Sequence, residues 1–343
     1  MKFGFCFQGV APGSAVSLAW LRLMNQFSHA GGTTEELLQG RSIGRFSMDD
    51  LRQVRSQEFI VCLNVWQVLL LRMLLIGSKA RILYWVQGLV AEESYLKRKS
   101  WYRYILLRLI EFVAFLSSDG YIYVSSYMAD FYDERYPLFG HRPRVVVACT
   151  SDLKSRHDVH RTPASFCYLG GMAPWQNFDV IVRLMNVIVR TTQNVTFNVA
   201  THEQGIARRT LEQHGSSELI GITNIVSLTG KSEVERFLSA NQFGFLIRDD
   251  DSINRVSSPI KLAEYLSCGV SVITTNAIRS YVKLLGEAAH IVDVPRQLSS
   301  GEDLKFDYAG AEASLEIYER HFSIESVNRS IKSFIASLVK YYA

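Results

Sequence analysis

The sequence has little charge of either sign in excess, no paired cysteines and no long apolar run. Charged residues make up 20% of its 343 residues, and Lys+Arg 37 against Asp+Glu 33 leaves a net charge of +4. A surplus that small excludes a chain-wide nucleic-acid surface, so no nucleic-acid partner is expected and any basic site must be local. The five cysteines, Cys6, Cys62, Cys149, Cys167 and Cys268, are odd in number and scattered. None has the spacing of a metal knuckle or a redox pair, which points to reduced, mostly buried thiols in a cytosolic protein. The most apolar stretches, VWQVLLLRMLLIG (65–77) and YILLRLIEFVAFL (104–116), are broken by Arg72 and by Arg108 and Glu111. Neither reaches the ~18 apolar residues of a spanning helix. The opening MKFGFCFQGVAPGS lacks the charged start and apolar run of a signal peptide, and the expected location is cytoplasmic. No Ser/His/Asp or Cys/His constellation, internal repeat or low-complexity tract is visible.

What is present is an apolar fraction of 48%, ample for two buried cores. At roughly 150 residues per domain the length suggests about two domains. Short strand-like runs alternate with longer helical ones, the signature of an α/β protein with parallel sheets. KFGFCFQ, EFIVCLNV (58–65), ARILYWVQ (80–87), GYIYVS (120–125) and RVVVAC (144–149) read as strands. Helices are expected over 15–29, near 66–76, over roughly 97–117 and over SYMADFYDERY. The polar segment SDLKSRHDVHRTP (151–163) has no apolar period and reads as a linker. The alternation then restarts with SFCYLGG, DVIVRLMNVIVRTT, VTFNVAT, GIARRTLEQHG, NIVSLTG, EVERFLSAN, FGFLIR, KLAEYLSCG and VSVITT. The expected division is 1–155, 164–320 and a final helix within 321–343: two Rossmann-like halves facing across a cleft, with ligands at the carboxyl ends of the strands.

The most informative segment is FGFLIRDDDSINRVSSPIKLAEYLSCGVSVITT (243–275). A buried strand ends at Arg248 and runs into an acidic, polar loop. The chain turns at Ser257-Ser258-Pro259, and a helix begins near Pro259. A helix N-terminus offers unpaired N–H groups and a positive dipole end, and Arg248, Arg255 and Lys261 add cationic side chains. A diphosphate suits such a surface. Glu264, one turn beyond Lys261, is placed to accept hydrogen bonds from sugar hydroxyls. The run Asp249-Asp250-Asp251 reads as a solvated loop rather than a metal site, because consecutive residues rarely converge on one ion.

This segment resembles the donor site of family 4 glycosyltransferases, retaining enzymes with the GT-B fold. The resemblance is to the pattern SP-x-K-x-x-E-Y-hydrophobic-x-C-G-hydrophobic-x-V-I, which stands here as Ser258, Pro259, Lys261, Glu264, Tyr265, Cys268, Gly269, Val272 and Ile273. It implies a nucleotide-sugar donor as substrate, no required metal or other cofactor, and a glycan or lipid-linked acceptor in surface polysaccharide or glycolipid synthesis. Arg248, Lys261 and Glu264 would be the catalytic residues. Gly170, Gly171, Gly230, Lys231, Arg255, Ser258 and Pro259 would bind the nucleotide sugar, and Gln87, Gly88 and Glu92 would lie on the acceptor side. Gly9, Pro12 and Gly13 stand where the family's first loop approaches the donor phosphates, and a plain strand–helix turn explains them equally. Glu92 and Glu93 read either as acceptor ligands or as a helix cap. HFSIESVNRSIKSF resembles the C-terminal helix that returns to the first domain.

Four positions depart from the family, among them Gln87, which stands where the acceptor-domain loop often contains a histidine. Gly171 and Gln176 stand where many members carry an Arg and a Lys for the diphosphate, and Val256 stands where many carry a first glutamate. Arg248, Arg255 and Lys261 are the candidates to supply the missing cations. In this family type the leaving phosphate is thought to deprotonate the acceptor, which fits a chain without an evident nucleophile. A nucleotide-sugar epimerase or hydrolase, and a degenerate non-catalytic partner or scaffold, remain as rival readings. Finally, KRKSWYRYILLR (97–108) joins five basic residues to Trp101, Tyr102 and Tyr104. It reads either as a peripheral contact with anionic membrane at the inner face or as a solvated face above a core face of Leu106, Leu109 and Phe112.

Overall fold

Parallel strands buried on both faces must be apolar almost throughout, and the strand-like runs of this chain have that character. In the computed structural model, which describes residues 1–10, 15–39, 41, 46–300, 304 and 306–343, they build two six-stranded sheets. The first contains β1 (Lys2–Cys6), β2 (Thr33–Leu37), β3 (Phe59–Cys62), β4 (Arg81–Val86), β5 (Gly120–Tyr123) and β6 (Arg144–Val146), in the order β2-β1-β3-β4-β5-β6. The second contains β7 (Ser165–Leu169), β8 (Thr196–Ala200), β9 (Thr223–Val226), β10 (Phe243–Leu246), β11 (Ser271–Thr274) and β12 (Ala289–Ile291), in the order β12-β11-β10-β7-β8-β9. Every pairing is parallel. Counted within its own unit, the second sheet runs 3-2-1-4-5-6, the doubly wound order whose direction of winding reverses between β7 and β10.

The chain divides into a unit of Met1–Ala148 with Ile324–Ala343 and a unit of Cys149–Ser323. The segment 151–163 has no helix or strand and is tied to the second unit. Lys154 N–H donates to Glu235, Arg156 N–H to Ser239 Oγ, and Arg161 to the Cys268 carbonyl at 2.8 Å. The last helix, Ile324–Tyr342, belongs to the first unit. It buries Val327, Ile331, Phe334 and Leu338, spaced so that one stripe faces the sheet. Phe334 meets Phe27 edge-on at 6.5 Å, and Arg81 lies 3.6 Å above the Tyr342 ring. Burial of four such side chains stabilises the return by about 1.5–3 kcal/mol each.

Local structure departs from expectation at four places. Strand β2, TTEEL, lies at the sheet edge and alternates exposed with less exposed residues, so no apolar run announces it. Strand β12 is another short edge strand. The single helix expected over 97–117 is two, Val90–Arg98 and Trp101–Ser117, separated where Lys99 turns left-handed at φ +51. The acidic loop after Arg248 contains a short helix, Ser252–Val256, capped by Asp251, whose carboxylate accepts from Asn254 N–H at 2.8 Å. Four of the five thiols, all but Cys149, are buried and unpaired. Burial pushes Cys6 and Cys268 up to about 12.

Candidate functional site

In a doubly wound sheet the crevice opens where neighbouring strands send their connections to opposite faces. Here β7 and β10 pair only at Phe166–Phe243 and Cys167–Gly244. Beyond that point the Tyr265 hydroxyl stands between the strands. It accepts from Leu169 N–H at 3.1 Å and donates to the Phe245 carbonyl at 3.2 Å. Gly244 makes room for it, since a Cβ there would lie 3.0 Å from the Tyr265 ring. One side chain thus satisfies two backbone groups that the parting strands leave unpaired.

The segment that follows β10 brings two cations to this crevice. Lys261 is in the first turn of the helix Ile260–Ser267 and is buried. Its amine donates to Tyr168 Oη at 3.1 Å and Gln176 Oε1 at 2.7 Å, and lies 4.2 Å from the Tyr168 ring centre. Burial, with Arg248 nearby, brings its pKa down to about 7, while Glu264 opposes the shift. Gly170 has φ +140, and a Cβ there would overlap the end of the Lys261 side chain. Arg248, half-buried, donates from Nη1 to the Trp175 carbonyl at 2.6 Å. Burial lowers its pKa from the ordinary arginine value. Glu264 is half-buried, one turn along the helix from Lys261.

A cavity of about 230 Å³ adjoins these residues at the carboxyl ends of β7, β8 and β9, lined in part by Gly170, Gly171, Thr201, His202 and Glu203. Glu203 accepts from Met172 N–H at 2.7 Å, and a Cβ on Gly171 would lie 2.9 Å from its carboxylate. Thr201, His202 and Glu203 were not singled out from the sequence. Their place directly after a strand was the only signal available. A second cavity of about 550 Å³ lies beyond Arg248, toward Thr275, Asn276 and Asp293.

The remaining expected donor residues are engaged elsewhere. Arg255 forms a two-pronged pair with Asp250, which also binds Arg279 at 2.9 Å. Asp249 accepts from the Asn177 amide at 3.1 Å, so the three neighbouring aspartates have three different tasks. Ser258 Oγ accepts from Cys149 N–H at 3.0 Å and from Tyr281 Oη at 2.7 Å. Pro259 immediately precedes the Lys261 helix. Gly230, at φ +114, precedes the helix Lys231–Ser239, and Lys231 lies 3.2 Å from Asp152 and 3.9 Å from Glu235. Arg248 and Lys261 are therefore the two cations the fold assembles at the crevice, while Arg255 is balanced by Asp250.

In the first unit, exposed Gln87 and half-buried Gly88 follow β4. The Gly88 carbonyl accepts from Tyr132 Oη at 3.3 Å. Glu92 turns into the protein, 2.6 Å from Arg135 and 3.6 Å from Arg108. Glu93, not Glu92, lies against Gly88, where a Cβ would overlap its carboxylate. Burial raises the Glu93 pKa, opposed by Lys97. Gly9 adopts φ +72 after β1, and Pro12 and Gly13 lie outside the described residues.

No protein-family model and no curated protein matches the sequence. Solved structures do match over the full chain. Sucrose-phosphate synthase from Thermosynechococcus elongatus superposes with a TM-score of 0.69 at 11% identity, covering 99% of this chain and 100% of its own. The Anabaena protein HepE, solved with UDP, gives 0.69 at 10% identity, covering 98% and 100%. The lipopolysaccharide outer core galactosyltransferase WaaB, in its apo form, gives 0.67 at 12% identity, covering 98% and 99%. At such identities the likeness establishes the fold, which is α/β and of the GT-B type.

Proposed function

We propose that this chain is a retaining glycosyltransferase of the family 4 type, taking a sugar from a nucleotide-sugar donor to a glycan or lipid-linked acceptor. The observation that carries this reading is the convergence of Arg248 and Lys261, the latter against Gly170, where β7 and β10 part. Both side chains donate to neutral oxygens, and in these bonds an incoming anion competes with no carboxylate. Structural neighbours that include a galactosyltransferase and a protein solved with UDP support the reading.

Cleavage of a sugar–phosphate bond builds negative charge on the leaving diphosphate and positive charge at the anomeric carbon. Arg248, Lys261 and the first N–H groups of the helix Ile260–Ser267 stabilise the leaving group. Gly170 leaves room for the Lys261 side chain beside it. Glu264 holds sugar hydroxyls, and the 230 Å³ cavity at Thr201–Glu203 receives the base. Gln176, in place of a second lysine, holds Lys261 until the donor arrives. Gln87 and Gly88, with Glu93 behind them, border the acceptor, whereas Glu92 belongs to the ion network of its own unit. No metal has a part in this scheme. The protein acts in the cytoplasm, in surface polysaccharide or glycolipid synthesis, with the basic segment 97–108 on the anionic inner face of the membrane.

The test is a thermal-shift screen against UDP-, GDP- and other nucleotide sugars, followed by product analysis with the donor that shifts. Lys261→Ala and Arg248→Ala should each lower turnover about 10²–10³-fold, the range for one lost oxyanion contact. Stabilisation by a donor without sugar transfer would favour an epimerase or hydrolase, and no stabilisation by any donor would favour a non-catalytic scaffold.

A further inference from the structure

The helix Trp101–Ser117 is apolar on two faces. One face buries Leu107, Ala114 and Phe115, together with Glu111, inside the first unit. The other carries Ile105, Leu106, Leu109, Val113 and Leu116, all exposed. The core face expected from Leu106, Leu109 and Phe112 is thus not formed: Leu106 and Leu109 are 57% and 59% exposed. At 3.6 residues per turn the five exposed positions fall within an arc of about 100° and extend over ~17 Å of helix. A stripe of this kind on a soluble surface calls for an occupant.

Charge identifies the occupant. Exposed Lys97, Arg98, Lys99 and Arg103 surround the helix N-terminus. Trp101 stacks on Tyr104 with ring centres 5.2 Å apart, between the cations and the apolar stripe. At the far end Glu111 is buried against Tyr132, Tyr136 and Arg135, and Asp119 is held by Arg72. If two copies paired antiparallel along this stripe, each basic cluster would meet Val113, Leu116 and Ser117, which offer no countercharge. An anionic bilayer supplies both partners: headgroups for the cations and acyl chains for the stripe.

We propose that the helix Trp101–Ser117 lies in the plane of an anionic membrane with Ile105, Leu106, Leu109, Val113 and Leu116 inserted below the headgroups. The proposal rests on the membrane contact assigned above to residues 97–108 and changes its nature, from electrostatic adhesion to insertion. No described helix is long and apolar enough to cross a bilayer.

The experiment floats the full chain with phosphatidylcholine vesicles, with and without phosphatidylglycerol, at low salt and at about 1 M salt, where charges are screened within ~3 Å. Leu106→Ser with Leu109→Ser changes only exposed residues, and its thermal melt should match wild type. Wild-type protein should bind the anionic vesicles and keep a salt-resistant fraction. The double variant should lose that fraction, with affinity down about tenfold per leucine. Lys97→Gln with Arg98→Gln and Lys99→Gln should lose binding at low salt. Complete release of wild type by salt, or a double variant that binds like wild type, would overturn insertion and leave the electrostatic contact standing. No flotation at any salt would overturn both. A dimer in sedimentation that the double variant dissolves, without vesicle binding, would show a second copy on the stripe and overturn the proposal. Donor-induced thermal shifts on the same preparations test the transferase reading separately.

Discussion

The two units bury charge in opposite ways. In the first, Glu111 is fully buried, but it accepts from Tyr132 at 2.7 Å and Tyr136 at 3.0 Å and faces Arg135 at 3.3 Å. Arg135 in turn holds Glu92. In the second, Lys261 is buried against a tyrosine hydroxyl and a glutamine carbonyl, and half-buried Arg248 donates to a backbone carbonyl. A matched network holds a fold together and has no charge to offer a ligand. A cation held by neutral oxygens is costly to bury and becomes favourable only when an anion arrives. Both units are built on a six-stranded parallel sheet, and the difference in pairing singles out the sheet end to which the proposal assigns the donor.

The largest expected effect tests the matched network. Glu111→Ala should lower stability by about 3–5 kcal/mol, because Arg135 and two tyrosine hydroxyls lose their buried partner. Lys261→Ala should leave the midpoint of urea unfolding unchanged or raised. Equal losses of stability in the two variants would break the distinction drawn here.

The next effect concerns protons. With the Lys261 pKa near 7, the amine is largely neutral above that pH in the free protein and must take up a proton when it meets a diphosphate. The diphosphate binds the charged form, so affinity should be greatest below pH 7 and fall by up to tenfold per unit above it. Titration calorimetry of UDP in buffers of different ionisation heat should show proton uptake at pH 8. That uptake should vanish in Lys261→Ala, and persistent uptake in that variant would assign it to another group. Tyr265→Phe tests the spacer between the two strands. It leaves the Leu169 N–H and Phe245 carbonyl without their bridge and should cost about 1–3 kcal/mol. It should also weaken UDP binding, read by thermal shift, because the ends of β7 and β10 lose their spacer.

Much of this was legible along the chain. The apolar strands and the helix pattern from Lys261 to Gly269 follow from local periodicity, and Pro259 marks the helix start. Other features were not. The Tyr265 bridge joins groups 96 and 20 residues apart in sequence. Arg255 and Lys261 have the same charge in the same motif, yet only the position of Asp250 separates them. The break at Lys99 is a left-handed turn at a residue that rarely adopts one. Leu106 and Leu109 had the right spacing for a core face, but the helix is apolar on two sides and periodicity does not say which side meets the sheet.

The amino-acid sequence by itself determined an alternating α/β chain with two cores and a basic, acid-bearing helix start after a buried strand, because short-range periodicity and turn chemistry act between near neighbours. Only the tertiary structure decided that β7 and β10 stand side by side, that buried Lys261 and half-buried Arg248 donate there to neutral oxygens, and that one apolar face of Trp101–Ser117 stays uncovered. Those outcomes depend on strand order and on which surfaces compete for burial, and both are settled between residues far apart in the chain.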